Sequence, residues 1–99
     1  MKNWKESDYM RLISQNGTID VPYEMSAIRN DDGLIILCMA GETGKGSVIA
    51  RYSTSEKAEK AMEMLHNDYY DHVAEKTYHE GTYYIHPCFR FPQDEDVEV

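Results

Sequence analysis

Three arginines are the residues of this chain whose type and position best suit the binding of a ligand. Arg11, Arg51 and Arg90 each lie in a predicted strand beside aromatic or apolar neighbours. A guanidinium held on a rigid strand suits bidentate recognition of a phosphate. Arg90 lies between Phe89 and Phe91, so strand alternation directs it to the opposite sheet face from both rings. The alternative for each arginine is an ion pair with one of the 18 carboxylates on the solvated face.

The other reactive residue types lack the spacing of a catalytic or metal site. The glycine-rich segment 41–47 has no glycine four residues before its Gly-Lys pair, and Gly46 follows Lys45, so it is not a nucleotide-binding loop. No motif sets a serine, cysteine or carboxylate beside a histidine. The sequence therefore predicts a protein that is not an enzyme and uses no cofactor. The sequence also predicts no metal site, because the spacings between the four histidines and the second cysteine match no compact zinc pattern. These residues are His66, His72, His79, His86 and Cys88.

Composition narrows the classes further. The 99 residues suit a single domain, and the net charge of −8 disfavours nucleic-acid binding, which needs a basic surface. An acidic chain can instead mimic nucleic acid or simply stay soluble. Eight tyrosines indicate subunit interfaces or ligand walls, or half-buried strand positions. Two distant cysteines and the lack of a membrane-length apolar run predict a reduced, cytoplasmic protein with no membrane partner.

A hairpin is predicted near the start of the chain. The segment Met10–Gln15 is typical of a strand, and Thr18–Val21 is typical of its return strand. Asn16 and Gly17 between them predict a type I′ turn, in which both central residues need positive φ. Further strands are predicted at residues 25–29, 34–40, 48–52, 82–85 and 89–91.

The second half of the chain predicts one long helix, from about Thr54 to Ala74. Its N-terminus matches a capping box, with Ser53 at the N-cap and Glu56 at N3. Spacings of three and four form an apolar stripe on one helix face, which consists of Ala58, Ala61, Met62, Leu65, Tyr69 and Val73.

These elements predict an α+β fold. We expect a mainly antiparallel β-sheet of about five to six strands with the amphipathic helix packed across it. The seven apolar residues of Leu34–Ala40 predict a central strand that is covered on both faces. Residues 1–9 are expected to form an N-terminal extension, residues 10–93 a single domain, and residues 94–99 an acidic tail or an edge strand.

The order of the pieces resembles a widespread group of small phage and prophage proteins. That group carries Met-x-Ile/Leu-x-Ser-Gln-Asp/Asn-Gly, then Ile-Asp-Val, then a Gly-Arg-Tyr-Ser-Thr-x-Glu-x-Ala join, and closes on an aromatic-rich strand that ends in proline. The corresponding segments here are Met10–Val21, Ala50–Met62 and Phe89–Val99, and Ala50 replaces the usual glycine.

The arrangement is also similar to the phage anti-Thoeris sponge proteins. This resemblance implies a homo-oligomer that captures a cyclic ADP-ribose signal without cleaving it, so that a bacterial immune effector is not triggered. It implies action in the cytoplasm of an infected or lysogenic host. The chain is shorter than that family between the helix and the last strand. On this hypothesis Arg90 and Arg11 would bind the phosphates, and Arg51 is a further candidate ligand residue. Stacking on the base or contacts to the ribose would come from Phe89, Tyr83 and Tyr84.

Two other functions remain open at this point. The net charge favours an acidic decoy or inhibitor that binds a host defence protein, with DNA mimicry as one form, although Lys57, Lys60 and Lys76 interrupt the acids of the helix. A structural or regulatory oligomer with no small ligand would instead use the tyrosines and the aromatic last strand at subunit interfaces.

Overall fold

A computed structural model describes residues 9–42, 44–78 and 88–99, with the side chains of 74–78 left aside. These residues form six strands and one helix. Two short 3₁₀ turns, Tyr23–Met25 and Asp94–Asp96, connect or follow them. The elements in chain order are β1 (Arg11–Ile13), β2 (Asp20–Pro22), β3 (Ser26–Asp31), β4 (Leu34–Met39), β5 (Ser47–Arg51), α1 (Ser55–Tyr78) and β6 (Cys88–Arg90).

The α+β class is confirmed, but the prediction of one sheet is wrong. The strands form two three-stranded sheets, a first sheet in the order β2–β1–β6 and a second in the order β3–β4–β5. The chain breaks between them at Pro22, which has no N–H to donate, and at the 3₁₀ turn that follows it. The second sheet is antiparallel, whereas β1 and β6 of the first are parallel, with Leu12 opposite Phe89.

The type I′ turn lies in a different hairpin from the predicted one. Asp32 and Gly33 have φ of 51° and 96° and join β3 to β4, whose last and first residues pair directly. Among the described residues other than glycine, Asp32 alone has positive φ, so Asn16 does not adopt the predicted geometry. The Gly17 N–H instead donates to the Ser14 carbonyl at 2.9 Å, which closes a turn over Ser14–Gly17. Asn16-Gly17 and Asp32-Gly33 both favour a type I′ turn in sequence. The loop between β1 and β2 is longer than two residues, so it does not require this turn at Asn16.

Both sheets turn one face toward α1 and share a single core. The helix contributes buried Ala58, Ala61 and Leu65 at spacings of three and four, as the apolar stripe predicted. The central strand β4 buries three consecutive residues, Ile35, Ile36 and Leu37, as its continuous apolar run predicted. The stripe is exposed only toward its C-terminal end, where Val73 is 44% exposed. Within the described residues, no helix is both long and apolar enough to cross a membrane.

The helix begins one residue later than the capping box predicted. Its first residue is Ser55, and the Thr54 side-chain Oγ1 accepts a hydrogen bond from the Lys57 N–H at 3.1 Å. The Thr54 carbonyl accepts from the Ala58 N–H at 3.3 Å, which makes Thr54 the N-cap and Lys57 the N3 residue. Ser53 is occupied elsewhere, because its N–H donates to Asp94 Oδ1 at 2.7 Å. The tertiary contact therefore shifted the cap by one position.

The last residues close the fold next to this helix start. Asp94 accepts from the Ser53 N–H, lies 3.6 Å from Lys57 Nζ through its other carboxylate oxygen, and begins a 3₁₀ turn. Lys57 Nζ also donates to the Asp94 carbonyl at 3.0 Å. Val97 follows the turn and is buried in the core. The hydrogen bond from the Ser53 N–H, supported by the Ser53 hydroxyl and the Lys57 charge, lowers the pKa of the Asp94 carboxyl.

The Thr54→Ala variant tests the position of the cap. We expect it to lose about 1 kcal/mol of unfolding free energy, because the Lys57 N–H loses its acceptor. The matched variant Glu56→Ala removes the acid of the predicted capping box and should cost less than about 0.5 kcal/mol, the size of a helix-dipole contact. Urea denaturation followed by circular dichroism measures both. A larger loss in Glu56→Ala than in Thr54→Ala would restore the predicted box.

Asp94 makes the folding stability of the protein depend on pH in the acid range. Because its pKa is lower in the folded chain, its contribution is present above the ordinary value of 3.8 and is lost as the pH falls through the lower folded value. We expect Asp94→Asn to melt below the wild type at pH 7 and to converge with it at acid pH. The control Glu95→Gln, on the same turn, should melt like the wild type at pH 7. A gap between the wild type and Asp94→Asn that stays constant down to about pH 2 would contradict this assignment.

Candidate functional site

The structure brings two of the predicted ligand residues to one surface. Arg11 and Arg90 lie on adjacent strands of the first sheet, and the parallel register places them one step apart on its outer face. Arg51 ends β5 in the second sheet and is exposed. Tyr83 and Tyr84 lie outside the described residues. We use the name arginine surface for the two exposed arginines Arg51 and Arg90.

Phe89 faces the opposite side of the same strand. It is 6% exposed, and its ring meets that of Phe91 edge to face with centroids 5.3 Å apart. The alternation that turns Arg90 outward turns both phenylalanines into the core, as predicted for Arg90. In this arrangement the Phe89 ring packs on protein and is not on the arginine surface.

The charge of Arg11 is matched by a carboxylate. Arg11 Nε lies 2.8 Å from Asp20 Oδ1, and Arg11 Nη2 donates to the Asp20 carbonyl at 3.3 Å. Asp20 lies on β2 opposite Ile13, one step along the sheet from Arg11. For this arginine the ion-pair alternative describes the structure, and an incoming phosphate would have to compete with Asp20.

Arg90 contacts backbone atoms at the end of β1. Its Nη2 and Nε donate to the Gln15 carbonyl at 3.1 and 3.4 Å. A Cβ added at Gly17 would lie 3.3 Å from the guanidinium carbon, and Gly17 has φ of 79°. Only glycine combines this positive φ with such close packing, so the planar guanidinium of Arg90 packs directly on Gly17.

Gln15 connects the two sheets. Its N–H donates to the Ile49 carbonyl at 2.8 Å. Its side-chain oxygen accepts from the Arg51 N–H at 2.9 Å, and its side-chain nitrogen donates to the Arg51 carbonyl at 3.1 Å and to the Pro92 carbonyl at 3.0 Å. One amide thus holds β5 and the segment after β6 against the end of β1. Sequence reasoning treated Gln15 only as a strand residue, although the Ser-Gln-Asn-Gly pattern marked the place.

The residues on either side of Gln15 hold the loop in shape. Ser14 is 1% exposed, and its hydroxyl donates to Asn16 Oδ1 at 2.8 Å and accepts from the Ile19 N–H at 3.0 Å. Asn16 Oδ1 also accepts from the N–H and the hydroxyl of Thr18, at 3.1 and 2.7 Å. These contacts assign the Ser-Gln-Asn-Gly pattern a structural role, which is to orient Gln15 and seat Arg90.

Arg51 and Arg90 have no carboxylate partner among the described residues. The ion pairs there join Arg11 to Asp20, Lys57 to Asp94, and Lys60 to Glu63. Gln15 bonds the backbone of Arg51 and accepts from the side chain of Arg90, so the two arginines flank one residue. In a chain of net charge −8, these are two cationic side chains with no carboxylate partner in the described part of the chain.

A second surface lies between α1 and the 3₁₀ turn at Tyr23. It is a groove of about 310 Å³, and we name it the tyrosine groove. The Tyr23 and Tyr69 rings meet there with centroids 4.7 Å apart at an angle of 49°. Burial, and then the charge of Glu24, raises the pKa of both phenols. The excess of tyrosine was the only sequence signal for this groove, which is lined by Tyr23, His66, Tyr69, Tyr70 and Val73.

Comparison of the chain with protein-family models, with curated proteins and with solved structures finds no match. Across residues 9–42, 44–78 and 88–99, no three histidine, cysteine, aspartate or glutamate side chains gather as metal ligands. His66 lines the tyrosine groove and the His72 ring packs 6.1 Å from that of Tyr69, while His79 and His86 lie outside the described residues.

Removal of the Gln15 amide tests its role as the junction. The Gln15→Ala variant loses three side-chain hydrogen bonds, and we expect a loss of about 2–3 kcal/mol of unfolding free energy. The control Gln93→Ala removes a single bond, from its side-chain nitrogen to the Gln15 carbonyl at 2.9 Å, and should cost about 1 kcal/mol or less. Equal losses in the two variants, measured by urea denaturation, would show that the amide of Gln15 is not the junction.

Proposed function

We propose that this chain is a phage-encoded anti-defence protein that binds and sequesters a nucleotide immune signal of the cyclic ADP-ribose type without cleaving it. It would act in the cytoplasm of an infected or lysogenic host. The resemblance to phage sponge proteins supplies the ligand class. The observation that carries the proposal is the pair Arg51 and Arg90, which flank Gln15 without a carboxylate partner among the described residues.

The chemistry of the arginine surface favours a phosphate. A guanidinium presents several N–H donors in a planar fork that matches phosphate oxygens. Arg90 spends two of its donor positions on the Gln15 carbonyl, which fixes the plane of the group and leaves the other terminal nitrogen for a ligand. The remaining groups described here are amides and backbone atoms, which transfer no proton at neutral pH.

The other predicted ligand residues would add further contacts to the nucleotide. Arg11 would join a phosphate by exchanging its Asp20 partner. Tyr83 and Tyr84 remain proposed contacts of the base and ribose, because a phenol ring offers both a face for stacking and a hydroxyl for hydrogen bonds. A second copy of the chain would complete the pocket, since ligand sites bury most of the ligand surface and the arginine surface is open. We therefore propose a homo-oligomer.

A capture experiment tests the proposal. The purified protein is incubated with cyclic ADP-ribose isomers, separated from free ligand, heated, and the released material is analysed by mass spectrometry. We expect one isomer to be recovered unchanged and native mass spectrometry to show more than one copy of the chain. Failure to capture any isomer would refute the proposal, and recovery of an altered nucleotide would make the protein an enzyme.

Arginine variants locate the site. Arg51→Gln leaves the folding contacts described here intact, so it should lower affinity about tenfold or more with an unchanged melting temperature, the loss of one charge-assisted contact. Arg29→Gln is a matched control, since Arg29 is an exposed strand arginine whose Nη2 donates to the Lys45 carbonyl at 3.2 Å. Calorimetric titration measures both. Equal affinities in the two variants would move the phosphate away from Arg51.

A further inference from the structure

We propose that the tyrosine groove binds a small organic cation, namely a methylated ammonium group of the choline kind. This site is separate from the arginine surface and takes a ligand of opposite charge. It therefore stands or falls independently of the nucleotide proposal.

The groove presents aromatic surface to the outside. Its helix residues follow the spacing of one face, with Tyr69 and Tyr70 three and four residues after His66 and Val73 seven after it. Tyr70 is 74% exposed and Val73 is 44% exposed, so the described core does not cover these two residues of the groove. Tyr23 closes the other side from the 3₁₀ turn. Its volume of about 310 Å³ lies at the small end of the range for ligand pockets.

The charge at the wall of the groove selects a cation. Glu24 follows Tyr23 directly, and both of its oxygens accept from the Met10 N–H, at 3.1 and 3.2 Å, which fixes the carboxylate in place. Burial, and then the charge of the same carboxylate, raises the pKa of the Tyr69 phenol. A cation over a tyrosine ring is attracted by the negative face of the ring, and a fixed carboxylate beside it adds to that attraction.

The neighbouring charges act in the same direction. Glu59 and Glu63 lie on the helix face that leads to His66, at spacings of seven and three residues before it. Lys60 lies 3.7 Å from Glu63, so these two charges compensate each other and Glu59 supplies the negative charge on this face. With a net charge of −8 on the whole chain, an anionic ligand would meet repulsion at this groove.

The lining decides which cation fits. A primary ammonium brings three N–H donors, each of which needs an acceptor when it is buried. The groove is lined mainly by rings and by Val73, and both oxygens of the Glu24 carboxylate already accept from the Met10 N–H. A methylated ammonium keeps the charge and replaces those donors with carbon, which suits aromatic faces.

The experiment compares choline with 3,3-dimethylbutan-1-ol, the neutral carbon analogue of the same shape. Binding is followed by NMR titration of the full chain, reading the tyrosine ring signals. We expect the dissociation constant of choline, obtained from these signals, to be at least fivefold lower than that of the neutral analogue. This difference lies in the range of a cation–π contact. Equal affinity for both compounds, or no choline binding at all, would overturn the proposal, including the case in which a second copy covers the groove.

Variants at one exposed position give the matched controls. Tyr70→Leu removes a ring face and should weaken choline binding about fivefold, whereas Tyr70→Phe keeps the ring and should stay within about twofold of the wild type. Both substitutions lie at an exposed position, so the melting temperature should not change. Glu24→Gln should weaken choline and leave the neutral analogue unaffected. Equal binding by Tyr70→Leu and Tyr70→Phe would place the cation elsewhere.

Discussion

The amide of Gln15 is the constraint on which the rest of the structure depends. Its two side-chain donor positions go to the Arg51 and Pro92 carbonyls, and its oxygen accepts from the Arg51 N–H. No isosteric replacement reproduces this set, because glutamate lacks both donors and leucine lacks all three groups. A single side chain therefore supplies three hydrogen bonds that join the end of β1 to β5 and to the segment after β6, across two sheets of three described strands each.

The same junction creates the arginine surface. Because the Gln15 side chain is directed to β5, its backbone carbonyl is free to accept from Arg90 and Gln93. Arg90 is then held flat over Gly17 instead of folding onto a carboxylate. The Gln15 backbone carbonyl thus orients the Arg90 guanidinium without neutralising its charge. The tyrosine groove lies between the helix and the Tyr23 turn, where Glu24 supplies the opposite sign.

The sequence pattern predicted those elements well whose structure depends only on burial along a single helix or strand. The apolar run of β4 and the helical stripe of α1 both reflect burial along one element, and both are confirmed by the core. The turn and the cap were less predictable. Asn16-Gly17 and Asp32-Gly33 look alike in sequence, and only strand register selects the tight turn at Asp32. Likewise Ser53 and Thr54 are both good caps, and the hydrogen bond from Ser53 to Asp94 decides between them.

The sequence by itself determined the α+β class, the helix, the central strand β4 and the outward direction of Arg90, because these follow from periodicity within a single segment. Tertiary structure alone decided that the six described strands form two sheets, that Phe89 belongs to the core, and that Arg11 is paired with Asp20 while Arg51 and Arg90 have no carboxylate partner in the part of the chain that the structure describes. It also decided that Tyr23 and Tyr69, 46 positions apart in the chain, share a groove. Such contacts depend on how distant segments pack, and no local pattern records them.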